Sequence, residues 1–120
     1  MAEQMQGATR QQGEEQEVNE VCLVGRVSGA VEHRELPSGD ELVSFRVVVR
    51  RKPRRDQRTK TPGVDTIDIA CWTARTRASA DRLDDGSRVR VEGALRRRFF
   101  ATPAGRASRY EVEAQRIRRD

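Results

Sequence analysis

Residues 64–95 read VDTIDIACWTARTRASADRLDDGSRVRVEGAL. Ile67, Ile69 and Cys71 alternate with Thr66, Asp68, Ala70 and Trp72, the two-residue period of a strand with one apolar face. From Ala74 to Leu83 the character turns helical. Ala74, Ala78 and Leu83 are expected on the packed side, and Gly86 ends the element. Strand period resumes after Ser87. Val89, Val91 and Leu95 are predicted on one face, and Arg88, Arg90, Glu92, Ala94, Arg96, Arg98 and Phe100 on the other. Gly93, in the middle of that run, marks a bulge or a sharp coil.

Working outward, two strands precede this block and one follows it. Val21–Val24 opens the first, with Gly25 and Gly29 as places where it bends. Leu36-Pro-Ser-Gly-Asp40 is turn chemistry. Leu42–Arg50 forms the second strand, with Val43, Phe45, Val47 and Val49 on the apolar face and Ser44, Arg46 and Arg50 on the other. Thr102-Pro-Ala-Gly105 makes a hairpin turn, and Tyr110, Val112 and Ala114 mark the fifth strand. The expected class is all-β. Five strands with one short helix between the third and the fourth is the order of the OB-fold, a five-stranded Greek-key barrel. The Gln- and Glu-rich segment 1–17 has no period and is expected to be a disordered acidic tail; residues 18–120 form the single domain.

Charge points to a partner. There are 24 basic and 19 acidic side chains, a net of +5, and 22 of the bases are arginine. Residues 1–20 carry a net of −4, so residues 21–120 carry +9. A small domain of that charge suits a polyanion, with nucleic acid favoured. The stretch from Arg50 to Gly63 holds seven bases, Arg54 and Arg55 among them, against the single acid Asp56. A basic loop beside a sheet can fold over a strand and hold its backbone without reading sequence. No apolar run is longer than four residues, which excludes a membrane helix, and the N-terminus has no apolar core for a secretory signal. A cytoplasmic, nucleoid-associated protein is expected. Cys22 and Cys71 have no metal spacing and are expected to be two reduced core thiols. His33 is the only histidine, Asp84-Asp85 reads as a turn, and no phosphate-cradling motif is present, so neither metal, cofactor nor catalysis is expected.

Strand parity gives the candidate site. If Ile67, Ile69 and Cys71 are buried, Trp72 points outward; Phe100 likewise falls opposite Val89 and Val91, unless a slip at Gly93 exposes Phe99 instead. A ring among arginines can stack any base, at about 1–3 kcal/mol per base. The stacking candidates are therefore Trp72 and Phe100. The phosphate candidates are Arg46, Arg50, Arg54, Arg55, Arg96 and Arg98.

The ordered motifs resemble a known family. Asn19-Glu-Val-Cys-Leu-Val-Gly-Arg-Val27 resembles the opening strand N-x-V-x-L-[IV]-G-x-[LV] of bacterial single-stranded DNA-binding proteins. Leu36-Pro-Ser-Gly39 and Phe45-Arg-Val-Val-Val49 match its turn and second strand. Leu83 to Arg98 looks like its L-x-K-G-x-x-V-x-[VI]-x-G-x-L-x-x-R. The likeness spans residues 19–117. It implies an OB-fold assembled as a homo-oligomer, a tetramer ahead of a dimer. Such an assembly coats single-stranded DNA in replication, recombination and repair. Trp72 and Phe100 fall at family aromatic positions.

Pro53 and Thr66 stand where many members carry tryptophan, which implies less stacking and more reliance on arginine. The sequence closes on Arg116-Ile-Arg-Arg-Asp120 in place of the family's acidic tail, so recruitment of other proteins by that route is not expected. Two other readings stay open at this point. One is an accessory subunit that binds replication-restart proteins. The other is an enzyme or an RNA-binding module on the same barrel.

Overall fold

The computed structural model describes residues 15–53 and 63–120. Five strands, β1 (Val21–Glu35), β2 (Glu41–Arg50), β3 (Val64–Cys71), β4 (Arg88–Thr102) and β5 (Gly105–Arg119), and one helix, α1 (Ala74–Asp81), follow one another in chain order. The strands close into a barrel in the order β1-β2-β3-β5-β4, with β1 returning against β4. All contacts are antiparallel except β3 against β5. This is the expected five-stranded OB barrel with a helix between β3 and β4.

Alternation explains the core. Val43, Phe45 and Val47 from β2, Ile69 and Cys71 from β3, Val89 and Val91 from β4, and Val112, Ala114 and Ile117 from β5 meet inside. Thr73 caps α1, its hydroxyl oxygen accepting from the Thr76 backbone N–H at 3.1 Å. The packed side of the helix differs from expectation. Thr76, Ala80 and Leu83 are buried, while Ala74 and Ala78 face out. The Thr76 hydroxyl can be buried because it stays within hydrogen-bond reach of the Thr73 hydroxyl and carbonyl.

One further expectation holds and two are corrected. First, β1 bends at Gly29, one of the two glycines expected to bend it. It runs on through Gly29, where φ is +85° and the pairing with β2 shifts between Ser28 and Glu32. Second, the irregularity beside Gly93 loops out a residue of β5, not of β4. Glu92 pairs with Arg116 and Gly93 with Ala114, so Gln115 is the extra residue. Parity along β4 is therefore kept. Leu95 nonetheless lies 44% exposed, although Val112 directly across from it belongs to the core; beyond this pair β4 and β5 continue as a hairpin arm. Third, only Cys71 is a core thiol. Cys22 is exposed, paired across from Glu92 on the outer side of β1. Of the acidic segment 1–17, residues 1–14 lie outside the described residues.

Candidate nucleic-acid interface

The outer faces of β2, β3 and the β4–β5 arm meet the β1–β2 arm around one open groove of about 560 Å³. The kink that swings β1 to form the groove wall is pinned from below. The Asp85 carboxylate accepts from the Gly29 N–H at 2.8 Å, and Gly86, at φ +87°, turns the chain back so that its N–H donates to the Val27 carbonyl. Asp84-Asp85 is thus a turn that positions the wall. Among the described residues no cluster of three or more histidine, cysteine or carboxylate side chains could hold a metal.

Arg46, Trp72, Arg98 and Phe100 are brought together as groove lining. Arg50 ends β2 opposite Val64 and Arg96 sits on the arm; both are exposed and outside that lining. Arg54 and Arg55 lie outside the described residues. Carboxylates share the surface with the arginines. Arg46 stands directly across from Asp68 and pairs with it at 3.2 Å; Arg96 reaches Glu113 at 2.9 Å. Arg98 and Arg109 are direct cross-strand partners, and like charges placed so repel. They part accordingly. The Arg98 Nε donates to Glu111, while the Arg109 guanidinium leans to 5.9 Å from the Phe100 ring centroid. At the loop root, the Arg51 guanidinium donates to Asp65 and holds its carboxyl below the ordinary carboxylate range.

The two rings differ. Phe100 is 43% exposed. Trp72 follows β3 and is half-buried; the Arg98 Cζ lies 4.9 Å from its ring centroid, and its Nε1 is buried with no partner among the described residues. The expected outward side of the sheet is occupied, but the indole is partly covered.

Alternate positions of the arm carry a second cluster, of which sequence reasoning offered only Phe99, as the ring that a slip at Gly93 would expose; Phe99 also borders the groove. Phe99 and Tyr110 are more than half exposed. Arg97 stands directly across from Tyr110, with its guanidinium 5.5 Å from that ring and 4.9 Å from Phe99; Arg106 covers Phe99 at 4.8 Å. Propagating the hairpin register back from the Thr102–Gly105 turn is the one signal that could have placed these four residues together.

Comparison with known proteins gives this geometry a family. The model of the single-strand binding protein family matches residues 18–120. The chain belongs to that family. A single-stranded DNA-binding protein of Treponema pallidum is 29% identical over 101 residues, covering 84% of this chain and 57% of that protein. One of Thermotoga maritima is 30% identical over 87 residues, covering 72% and 62%. The chain thus spans about three fifths of the length of these relatives. Among solved structures, a Plasmodium falciparum SSB in complex with ssDNA superposes with a TM-score of 0.73 at 23% identity, covering 87% of this chain and 94% of that one. A small single-stranded DNA-binding protein from Streptomyces coelicolor gives a TM-score of 0.62 at 24% identity, covering 84% and 93%. At such identities these two likenesses bear on the fold.

Proposed function

We propose that this chain binds single-stranded DNA without reading its sequence, and protects it without catalysing a reaction. The observation that carries the reading is the groove. It is open, about 560 Å³, and lies on a barrel of the single-strand binding family, with Trp72, Phe99, Phe100 and several arginines along it. Trp72 and Phe100 supply the aromatic elements. Arg46, Arg50, Arg96 and the loop arginines Arg54 and Arg55 track phosphates. Asp68 and Glu113 take the Nε of Arg46 and of Arg96 respectively, so a phosphate meets the terminal N–H groups of a cation whose charge is already offset. The chemistry favours a loosely held, sliding strand over a tightly gripped one.

The role in replication, recombination and repair belongs to the same proposal. So do the homo-oligomeric assembly, with a tetramer ahead of a dimer, and the cytoplasmic, nucleoid-associated setting. No helix among the described residues is long and apolar enough to cross a membrane.

Fluorescence anisotropy of end-labelled strands tests the reading. Saturable binding is expected for oligo-dT and for mixed sequences alike. It should be much weaker for a duplex of equal length and fall steeply with added salt. Equal binding of duplex and single strand, or no saturable binding of oligo-dT, overturns it.

A further inference from the structure

We infer that at the inner end of the groove a nucleobase lies on the guanidinium plane of Arg98, with Trp72 as its support, and that Arg98 is a base platform and not a phosphate contact. The inference rests on the single-strand reading of the groove.

Three observations converge on Arg98. Its Cζ lies 4.9 Å from the centroid of the indole. Its Nε is committed to Glu111, whose side chain is only 10% exposed. Its own side chain is 41% exposed and lines the groove. A guanidinium forms hydrogen bonds in its plane and stacks through its two faces, so a carboxylate at the edge and rings on the faces do not compete. Glu111 takes the edge and Trp72 takes one face. The remaining face is left for a third planar group.

The alternatives cost more. Glu111 holds the Nε edge of Arg98 and its charge offsets that of the guanidinium, so a phosphate at the terminal N–H groups meets a neutralised cation beside a like charge and gains little. A base seeking the indole face under Arg98 would have to eject the guanidinium and break the same pair. A base added on top of Arg98 breaks nothing, and arginine planes stack nucleobases readily. Arg46 and Arg96 provide the contrast. Both are paired at an edge with a carboxylate, but neither has a ring within cation–π reach among the described residues. Arg109 leans over Phe100 at the longer distance of 5.9 Å, so among the described groove arginines it is Arg98 that combines a carboxylate at its Nε edge with a ring under 5 Å from its Cζ.

The test compares wild type, R98K and R98A, each checked by circular dichroism to be fully folded at the assay temperature, on oligo-dT and on a strand of equal length with every base removed. Lysine keeps the charge and loses the plane. R98K is expected to bind oligo-dT about 5- to 20-fold more weakly than wild type. Its salt dependence should be the same, and it should match wild type on the abasic strand. R98A should lose as much on oligo-dT with no flattening of the salt dependence. At saturation its indole emission should be quenched more than in wild type, because the base then reaches Trp72 directly. R98K indistinguishable from wild type on oligo-dT, an equal loss on the abasic strand, or a salt slope in R98A flatter by about 0.7 overturns the inference while leaving the single-strand reading intact. No binding of oligo-dT by wild type overturns that reading, and this inference with it.

Discussion

Replacing Gly93 with alanine should damage the molecule where the barrel hands over to the arm. A Cβ at Gly93 would sit 2.0 Å from the Glu113 carbonyl oxygen, 2.9 Å from its carbon and 3.1 Å from the Ala114 Cα. All three are backbone atoms, so no rotamer change relieves the clash. Ordinary contact begins near 3.4 Å, and β5 would have to retreat by about 1.4 Å at Glu113. Overpacking of this kind costs about 1–3 kcal/mol. A strained or lost rung of the ladder adds about 1 kcal/mol. The smaller entropy of the unfolded alanine chain returns only about 0.4–1 kcal/mol. The net is a loss of about 1–3.5 kcal/mol, which for a domain of this size lowers Tm by roughly 5–25 °C.

Gly39→Ala is the control. Gly39 has φ of +94° but nothing within 4 Å of a built Cβ, so only the backbone penalty of about 1 kcal/mol applies. Circular-dichroism melts at one fixed protein concentration compare the two. A Gly93→Ala protein that melts no lower than Gly39→Ala would refute the close β4–β5 approach. Affinity for oligo-dT should fall alongside, because Glu111 and Arg109 ride on the displaced stretch of β5.

Further outcomes follow from the thiols and the loop. A thiol reagent near neutral pH should modify Cys22 but not Cys71 in the native chain, and both once the chain is unfolded. Burial pushes the Cys71 thiol from its ordinary 9.0 up to about 12, so the unfolded chain loses that proton first as pH rises. The contribution to stability is complete below pH 9 and is lost between about 9 and 12. Tm of wild type should therefore fall more steeply over that window than Tm of Cys71→Ala. Changing Arg54, Arg55 and Arg58 together to Ala should weaken all single strands alike and flatten the log–log salt slope by about 2, at roughly 0.7 per phosphate. A loss confined to one sequence would argue against a backbone clamp.

Much of the fold was readable because alternation is a direct imprint of a one-sided sheet. Phe45 and Val47 announce their burial by their spacing from Arg46, and Ile69 by its spacing from Asp68. The order of five strands and one helix needed nothing more. What escaped was set by longer-range geometry. Gly25 reads as a bend, yet its chief constraint is close approach to the Val48 carbonyl. Leu95 has core parity, but parity does not say where the core stops. Cys22 lies among apolar neighbours and still faces out, because Val21 and Leu23 hold the inner positions. The packed face of α1 was misread because alanine carries little positional information, whereas a capped Thr76 can be buried.

At the candidate site, parity placed Trp72 and Phe100 on the groove side of the sheet. It could not show that Arg98 lies over the indole, since that contact joins residues from different strands. The joining of Phe99 and Tyr110 through Arg97 was hidden for the same reason. Only the cross-strand register joins them.

The most direct measurement is zero-length photocrosslinking of oligo-dT to the whole chain, with the adducts mapped by peptide mass spectrometry. Crosslinks concentrated at Phe100 and the Trp72–Arg98 corner are the predicted result, abolished by excess unlabelled single strand and not by duplex. Adducts confined to α1 or to the outer side of β1 around Cys22, with none in the groove, would contradict it.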